Sequence, residues 1–452
     1  MISKIFLVIV VLYIIYAIFL AKEKYHMLLI PSILDSNFFG FYELPFGQKN
    51  SDIVFIVIIL IWLFFLSIKQ KTSWTKAVSS YRIILLIFYS FLVFVLLISI
   101  LQYGEPLQSF MVFRRLFRYI IILLLIAVMF RLTKEELSKL AVLIDNITVI
   151  LAILYIIHAS LGIEIFQAAN YGEYDYGGAR ILRNFAAIPY FIMFSLCRIT
   201  LKEKKGIYEI SAIFIFLIAL FLSYTRSLIV MGFLIVIISL FIRAVKFSKS
   251  FTRILKLMIF LPVLIIVVSA SFSQIFPSQT KFLLNRIKNI NNAQSALRDQ
   301  TVDLRSKIIQ SRINKVLEVN PITGLGFVHE ESSAMLYHDL FVRKGDKKGQ
   351  VIVGDQSWGN LIAVVGFLGT AIFILMILYP IILLIKKGIF LRQDITCIAA
   401  VIYLLGVLSI NSFFDTILIK GVFLISLLIA LVIAFSNHYF IEQSEANINN
   451  QS

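Results

Sequence analysis

From Ile210 to Ile242 the chain runs for over 30 residues with one charge, Arg226, near its middle. A bilayer crossing takes about 20 apolar residues, so this stretch is too long for one helix and too greasy for a water-exposed surface. Two helices joined by a tight turn at SYTRS, residues 223–227, satisfy both constraints. They also place Arg226 at a membrane face, where its guanidinium escapes the penalty that a charge meets at mid-bilayer.

Similar apolar runs recur along all 452 residues, of which 60% are hydrophobic and only 15% charged. That balance excludes a soluble domain. The alternating pattern of an outer-membrane barrel is absent, so the expectation is an all-α, polytopic helical membrane protein. Cys197 and Cys397 both sit in or beside apolar runs, which leaves no disulfide framework and too few ligands for a metal site. The net charge of +17 is read as basic residues gathered on the cytoplasmic side, not as a nucleic-acid surface. The opening run, MISKIFLVIVVLYIIYAIFLAKEK, is longer than a signal-peptide core and lacks a small-residue cleavage site; it reads as a first span.

Apolar runs near 4–21, 52–68, 82–102, 112–131, 140–161, 184–201, 208–223, 227–243, 255–273, 357–385, 394–411 and 418–436 predict about twelve transmembrane helices. Basic connectors at 69–82, 202–205, 243–253 and 386–392 alternate with poorer ones and are assigned to the cytoplasm, which places both termini inside. Only KEK at 22–24 conflicts, since this topology puts it outside. The predicted organisation is a bundle of spans one to nine over 1–273, an outer loop over 274–356, spans ten to twelve over 357–436, and a cytoplasmic tail over 437–452.

The outer loop contains TVDLRSKIIQSRINKVLEVN, with Leu304, Ile308, Ile309, Ile313, Val316 and Leu317 at helical spacing and Arg305, Lys307, Arg312 and Lys315 on a basic face. A helix of this kind lies on the bilayer, caps a cavity or simply faces water. Further features converge on the same side. Arg180 and Arg183 precede a span; Pro321 ends the loop helix, and Gly324 and Gly326 permit a tight turn in NPITGLGF. Asp355 opens the span GDQSWGNLIAVVGFLG, which Gly366 and Gly369 are expected to thin. Outward arginines beside glycine turns suit a phosphate or diphosphate ligand, because a guanidinium grips phosphate oxygens in pairs and stays charged. The alternative for each arginine alone is a snorkelling boundary residue. The tyrosines of NYGEYDYGG fit either sugar stacking or an interfacial belt.

The order of these motifs, over roughly 170–375, resembles the O-antigen polymerase and O-antigen ligase superfamily of membrane glycosyltransferases. The resemblance implies that Arg226 holds the undecaprenyl diphosphate of a lipid-linked oligosaccharide. It assigns the loop-helix arginine to Arg305, with Arg312 competing, and the P-x-x-G-x-G turn to Pro321, Gly324 and Gly326. The arginine before the sixth span falls on Arg180 or Arg183. Where ligases carry a histidine-asparagine pair, this chain has Asp355 and Gln356. An aspartate still serves as base if burial lifts its pKa, and the departure favours polymerase over ligase. His329 and His338 are the other candidates for base.

The same resemblance implies a bacterial cytoplasmic-membrane enzyme of O-antigen or capsule type, joining lipid-linked repeat units at the outer face. A flippase and a chain-length regulator are implied partners. No metal or other cofactor is expected, because no carboxylate cluster with an obvious metal spacing appears on the outer side. A ligase and a lipid-linked oligosaccharide flippase stand as alternatives. A transporter, however, should carry charges or broken helices near mid-membrane and needs no long outer loop.

Overall fold

The computed structural model describes residues 8, 11–35, 50–66, 75–161, 173–176, 179–182, 188–223, 226–247, 274, 309–328, 341–344, 347–350, 357–411 and 422–449. Helices dominate: α1 (Val11–Leu20), α2 (Leu29–Asp35), α3 (Asn50–Leu66), α4 (Lys76–Tyr103), α5 (Pro106–Phe117), α6 (Ile121–Met129) and α7 (Lys134–Leu161). They are followed by α8 (Ile188–Leu201), α9 (Ile207–Leu222), α10 (Arg226–Phe247), α11 (309–319), α12 (Ser357–Lys386), α13 (Ile395–Gly406) and α14 (Val422–Asn449).

At the centre stand α8, residues 396–404 of α13 and the first half of α14, which are buried on every side. A helix that is apolar all round belongs in such a position. Around them pack α10 and α9 on α8, α6 on α14, and α4 on α12. Among the described residues five helices are long and apolar enough to cross a membrane, and five shorter apolar helices join them. The predicted ninth span at 255–273 lies outside the described residues.

Glycines let helices approach closely, as in other membrane bundles. A Cβ on Gly406 would overlap the Met231 side chain, and one on Gly369 would stand 2.5 Å from the ring of Phe91.

The two ends of the bundle differ in chemistry. At one end lie the 202–206 turn, the C-terminal part of α10 and the start of α13: Lys202 pairs with Glu209 at 3.0 Å, Arg243 donates to the Glu203 carbonyl and Lys246 to that of Gln393. The start of α7 and the far end of α14 meet in the Lys134–Glu442 pair at 3.1 Å, so the last helix continues through most of the predicted tail. The expected topology makes this the cytoplasmic end.

Four departures from the sequence expectation have physical causes. First, two short hairpins interrupt the all-helical picture, β1 (Glu173–Tyr176) with β2 (Ala179–Leu182) and β3 (Phe341–Lys344) with β4 (Lys347–Gln350). Each pair is separated in sequence by two residues, Gly177-Gly178 and Gly345-Asp346, the composition that two-residue hairpin loops require. Second, the predicted span at 112–131 starts earlier and is broken, running as α5, a 3-10 turn over Arg118–Ile120, and α6. Pro106 starts it at a position where a missing N–H costs nothing.

Third, the KEK segment sits beside the start of α7, where Lys139 is coupled electrostatically to Glu23 and Tyr25. It therefore shares the basic end, and its conflict with the charge rule disappears. Fourth, Gly366 does not thin α12 but breaks it, with φ 68° and ψ −172° inside the helix. That backbone conformation is open to glycine and almost nothing else.

Candidate functional site

The break in α12 is filled by the P-x-x-G-L-G turn. In an unbroken helix the Phe367 N–H would donate to the Ala363 carbonyl, four residues back. Instead Phe367 N–H donates to the Pro321 carbonyl at 3.0 Å, and the Ala363 carbonyl accepts from Leu325 N–H at 2.7 Å. One helical hydrogen bond has thus been opened and both halves given to the turn, so neither half is orphaned in an apolar setting. The Thr370 hydroxyl donates to the Gly366 carbonyl at 2.7 Å, completing the repair.

Gly324 and Gly366 make the splice possible. A Cβ on Gly324 would lie 2.5 Å from Gly366 N and 2.7 Å from the Ala363 carbonyl, and one on Gly366 would overlap the Ile322 carbonyl. Both also hold positive φ. Asn320 starts the turn by accepting from the Ile322 and Thr323 N–H groups at 3.0 and 3.1 Å. The C-terminal end of α4 braces the other side. Ser99 Oγ accepts from Phe327 N–H at 2.8 Å, and the Tyr103 hydroxyl donates to the Leu325 carbonyl at 2.6 Å. A Cβ on Gly326 would strike Ser99. Gly324 and Gly326 are thus the turn glycines that the local residue chemistry predicts.

The helix entering this turn is α11. Its inward stripe is Ile309, Arg312, Ile313 and Val316, at spacings of three, one and three residues, whereas Leu317 is 56% exposed. The sequence expectation put Arg312 on a basic outer face and Leu317 on the apolar one; the structure reverses both. Arg312 is fully buried, and its guanidinium lies against Gly359, where an added Cβ would come within 2.8 Å of Nη1. Burial pulls its pKa down to about 10, which leaves it cationic at neutral pH.

Neighbouring contacts extend this corner. The Trp358 indole donates to the Leu408 carbonyl at 3.2 Å, in the π-helical turn Val407–Asn411 that follows α13. The adjoining Gly406 packs on Met231 of α10, whose first residue is Arg226. Arg312, the start of α12 and Met231 of α10 are thus joined through a short chain of contacts. The side chain of Arg226 is outside the described residues, as are Arg183, Arg305, His329, His338 and Asp355. Arg180 lies in β2, with Asp175 of β1 as its register partner.

FRRLFR, residues 113–118, falls inside the span predicted at 112–131. Three arginines at the mouth of an apolar run are themselves a signal, since charges in a span mark function by default. Here they ride α5 and the 3-10 turn below the spliced loop, and the ring of Phe113 meets that of Phe327 edge-on at 5.4 Å.

Residues 211–374 match a family model described as O-antigen ligase, Wzy_C, over the same region where the motifs resemble the O-antigen polymerase and ligase superfamily. The match covers most of α9, α10, α11, the spliced turn and the first half of α12. No curated protein matches the chain.

Proposed function

From that family match as premise, we propose that the chain is a membrane glycosyltransferase that polymerises a surface polysaccharide of O-antigen or capsule type. Its donor is the growing glycan on undecaprenyl diphosphate, and its acceptor is a lipid-linked repeat unit. The reaction is placed at the outer face of the bacterial cytoplasmic membrane. The acceptor hydroxyl attacks the anomeric carbon, the bond to the phosphate oxygen breaks, and the lipid diphosphate departs with the electron pair. Asp355 accepts the hydroxyl proton in this scheme, with His329 or His338 as the substitutes. Arg226 and Arg312 or Arg305 neutralise charge developing on the leaving group, and such preorganised electrostatics commonly supply the largest share of rate enhancement.

The observation that carries this reading is the fully buried Arg312, held against the start of α12 by the segment spliced into that helix. The splice fixes the arginine's helix to a membrane span, which is the rigidity an electrostatic clamp needs. A ligase is the second reading, favoured by the description of the matched family. The presence of Asp355 and Gln356 where ligases carry histidine and asparagine favours the polymerase.

Turnover of a purified, defined lipid-diphosphate repeat unit separates the two. Polymer in the absence of another acceptor supports polymerase, transfer only to an added lipid or protein acceptor supports ligase, and movement without a new glycosidic bond removes both. Arg312→Ala and Arg226→Ala should each lower kcat about 100-fold or more while single repeat units are still made upstream. Asp355→Asn should be as severe if that carboxylate is the base.

A further inference from the structure

We propose that Arg114, Arg115 and Arg118 form a second binding site for the phosphate head of a membrane lipid, separate from the Arg312 corner. Between Gly104 and Phe130 the chain carries these three arginines and a single carboxylate, Glu105. The local charge therefore favours an anionic ligand.

Geometry supplies the rest. Gly104 ends α4 in the left-handed conformation, and α5 starts at Pro106 and packs back along α4. Ser109, Val112, Phe113 and Leu116 are buried. The other side presents Leu107, Phe110 and Met111, exposed at 68%, 52% and 37%. Arg114 follows Phe110 and Met111 by four and three residues on a helix, so it continues the same exposed side, and Arg115 flanks it. Both are half-buried, and Arg118 is only 7% exposed.

The depth is set by Tyr89, near the middle of α4, whose hydroxyl donates to the Tyr119 carbonyl at 2.8 Å. Arg118, next to Tyr119, therefore sits well within the span. Exposed apolar side chains leading to a run of guanidinium groups match an amphiphile with an acyl or isoprenoid tail and a phosphate head. The spliced turn separates this cluster from the first: Phe113 meets Phe327 on the α4 side, whereas Arg312 faces Gly359 at the start of α12. Polymerisation consumes two lipid-linked substrates per bond, and two phosphate sites flanking one turn would seat both. That assignment of the occupant rests on the polymerase reading; the site itself does not.

The test is lipid binding to the full-length protein in phosphatidylcholine nanodiscs, read by native mass spectrometry with undecaprenyl diphosphate or phosphatidylglycerol as probe. Wild type should hold two copies of undecaprenyl diphosphate. The double variant Arg114→Gln/Arg115→Gln should lose one of them, its affinity falling about tenfold or more, and Arg312→Gln should lose the other. Arg115→Lys should keep more binding than Arg115→Gln. An unaltered melting curve shows that each variant is folded; Arg118 is left intact because it is buried. If the double variant instead loses phosphatidylglycerol alone, the site stands with a phospholipid as its occupant. If it loses neither probe while Arg312→Gln loses undecaprenyl diphosphate, the second site is overturned and the proposed function survives. If no variant loses undecaprenyl diphosphate, both fail.

Discussion

The two ends of the bundle are closed by different means. At the end bearing the spliced turn, backbone meets backbone: Leu325 with Ala363, Pro321 with Phe367, and glycines where a methyl group would not fit. At the basic end, side chains do the joining, through Lys202–Glu209, Lys134–Glu442 and the buried pair of Arg198 Nε with Asp145 at 2.8 Å. Backbone splicing gives one geometry with little slack. Exposed ion pairs are worth little individually and tolerate exchange. The difference teaches where this chain places its rigidity: around the segment that carries Arg312, in the stretch that matches the family.

The contrast can be broken by substitution, starting where the largest effect is expected. Gly366→Val should prevent accumulation of folded protein in membranes, because strain at positive φ of about 1–3 kcal/mol adds to overlap with the Ile322 carbonyl. Gel filtration in detergent checks this, and near-normal yield would mean the splice is dispensable. Next comes Asp145→Ala, which strands Arg198 in the core of the other end. A loss of about 3–5 kcal/mol is expected in denaturant titration, with partial recovery when Arg198→Met is added. This one buried pair is where the basic end should behave like the spliced end.

Smaller effects sharpen the boundary. Ser99→Ala leaves the buried Phe327 N–H without its acceptor and should cost about 1–3 kcal/mol, lowering activity along with the melting temperature. Lys134→Ala, at an exposed pair, should change stability by about 1 kcal/mol or less. The basic end should also show a pH response. Burial, with Arg243 beside it, lowers Lys205 to about 8. The unfolded chain then binds that proton more tightly than the folded one, so stability should rise as pH climbs from about 8 toward the ordinary lysine value. Lys205→Met should flatten that slope in melting curves taken across the range.

Much of this fold is legible in the residues alone. Long apolar runs announce a helical membrane protein, since each run must bury or face hydrocarbon whatever its neighbours do. The turn at Pro321, Gly324 and Gly326 is readable from local residue chemistry, and so is the start of α10 at Arg226. The motif order points to the superfamily whose model matches residues 211–374. Less legible are Gly366, which reads as a packing glycine, and Arg312, which reads as a surface charge. FRRLFR is absorbed into a span because a hydropathy window averages three charges against a long apolar tail. In each case the missing information is a contact with a distant segment.

That is where the division falls. Residue-by-residue hydrophobicity and charge determined that the chain is helical, membrane-embedded and basic at one end, because those properties act over the length of a single helix. Only the tertiary structure decided that a loop turn would replace one hydrogen bond inside another helix and carry Arg312 to its mouth. Two segments far apart in sequence must both lack a Cβ and meet at van der Waals distance for that to happen. No local pattern records such a meeting.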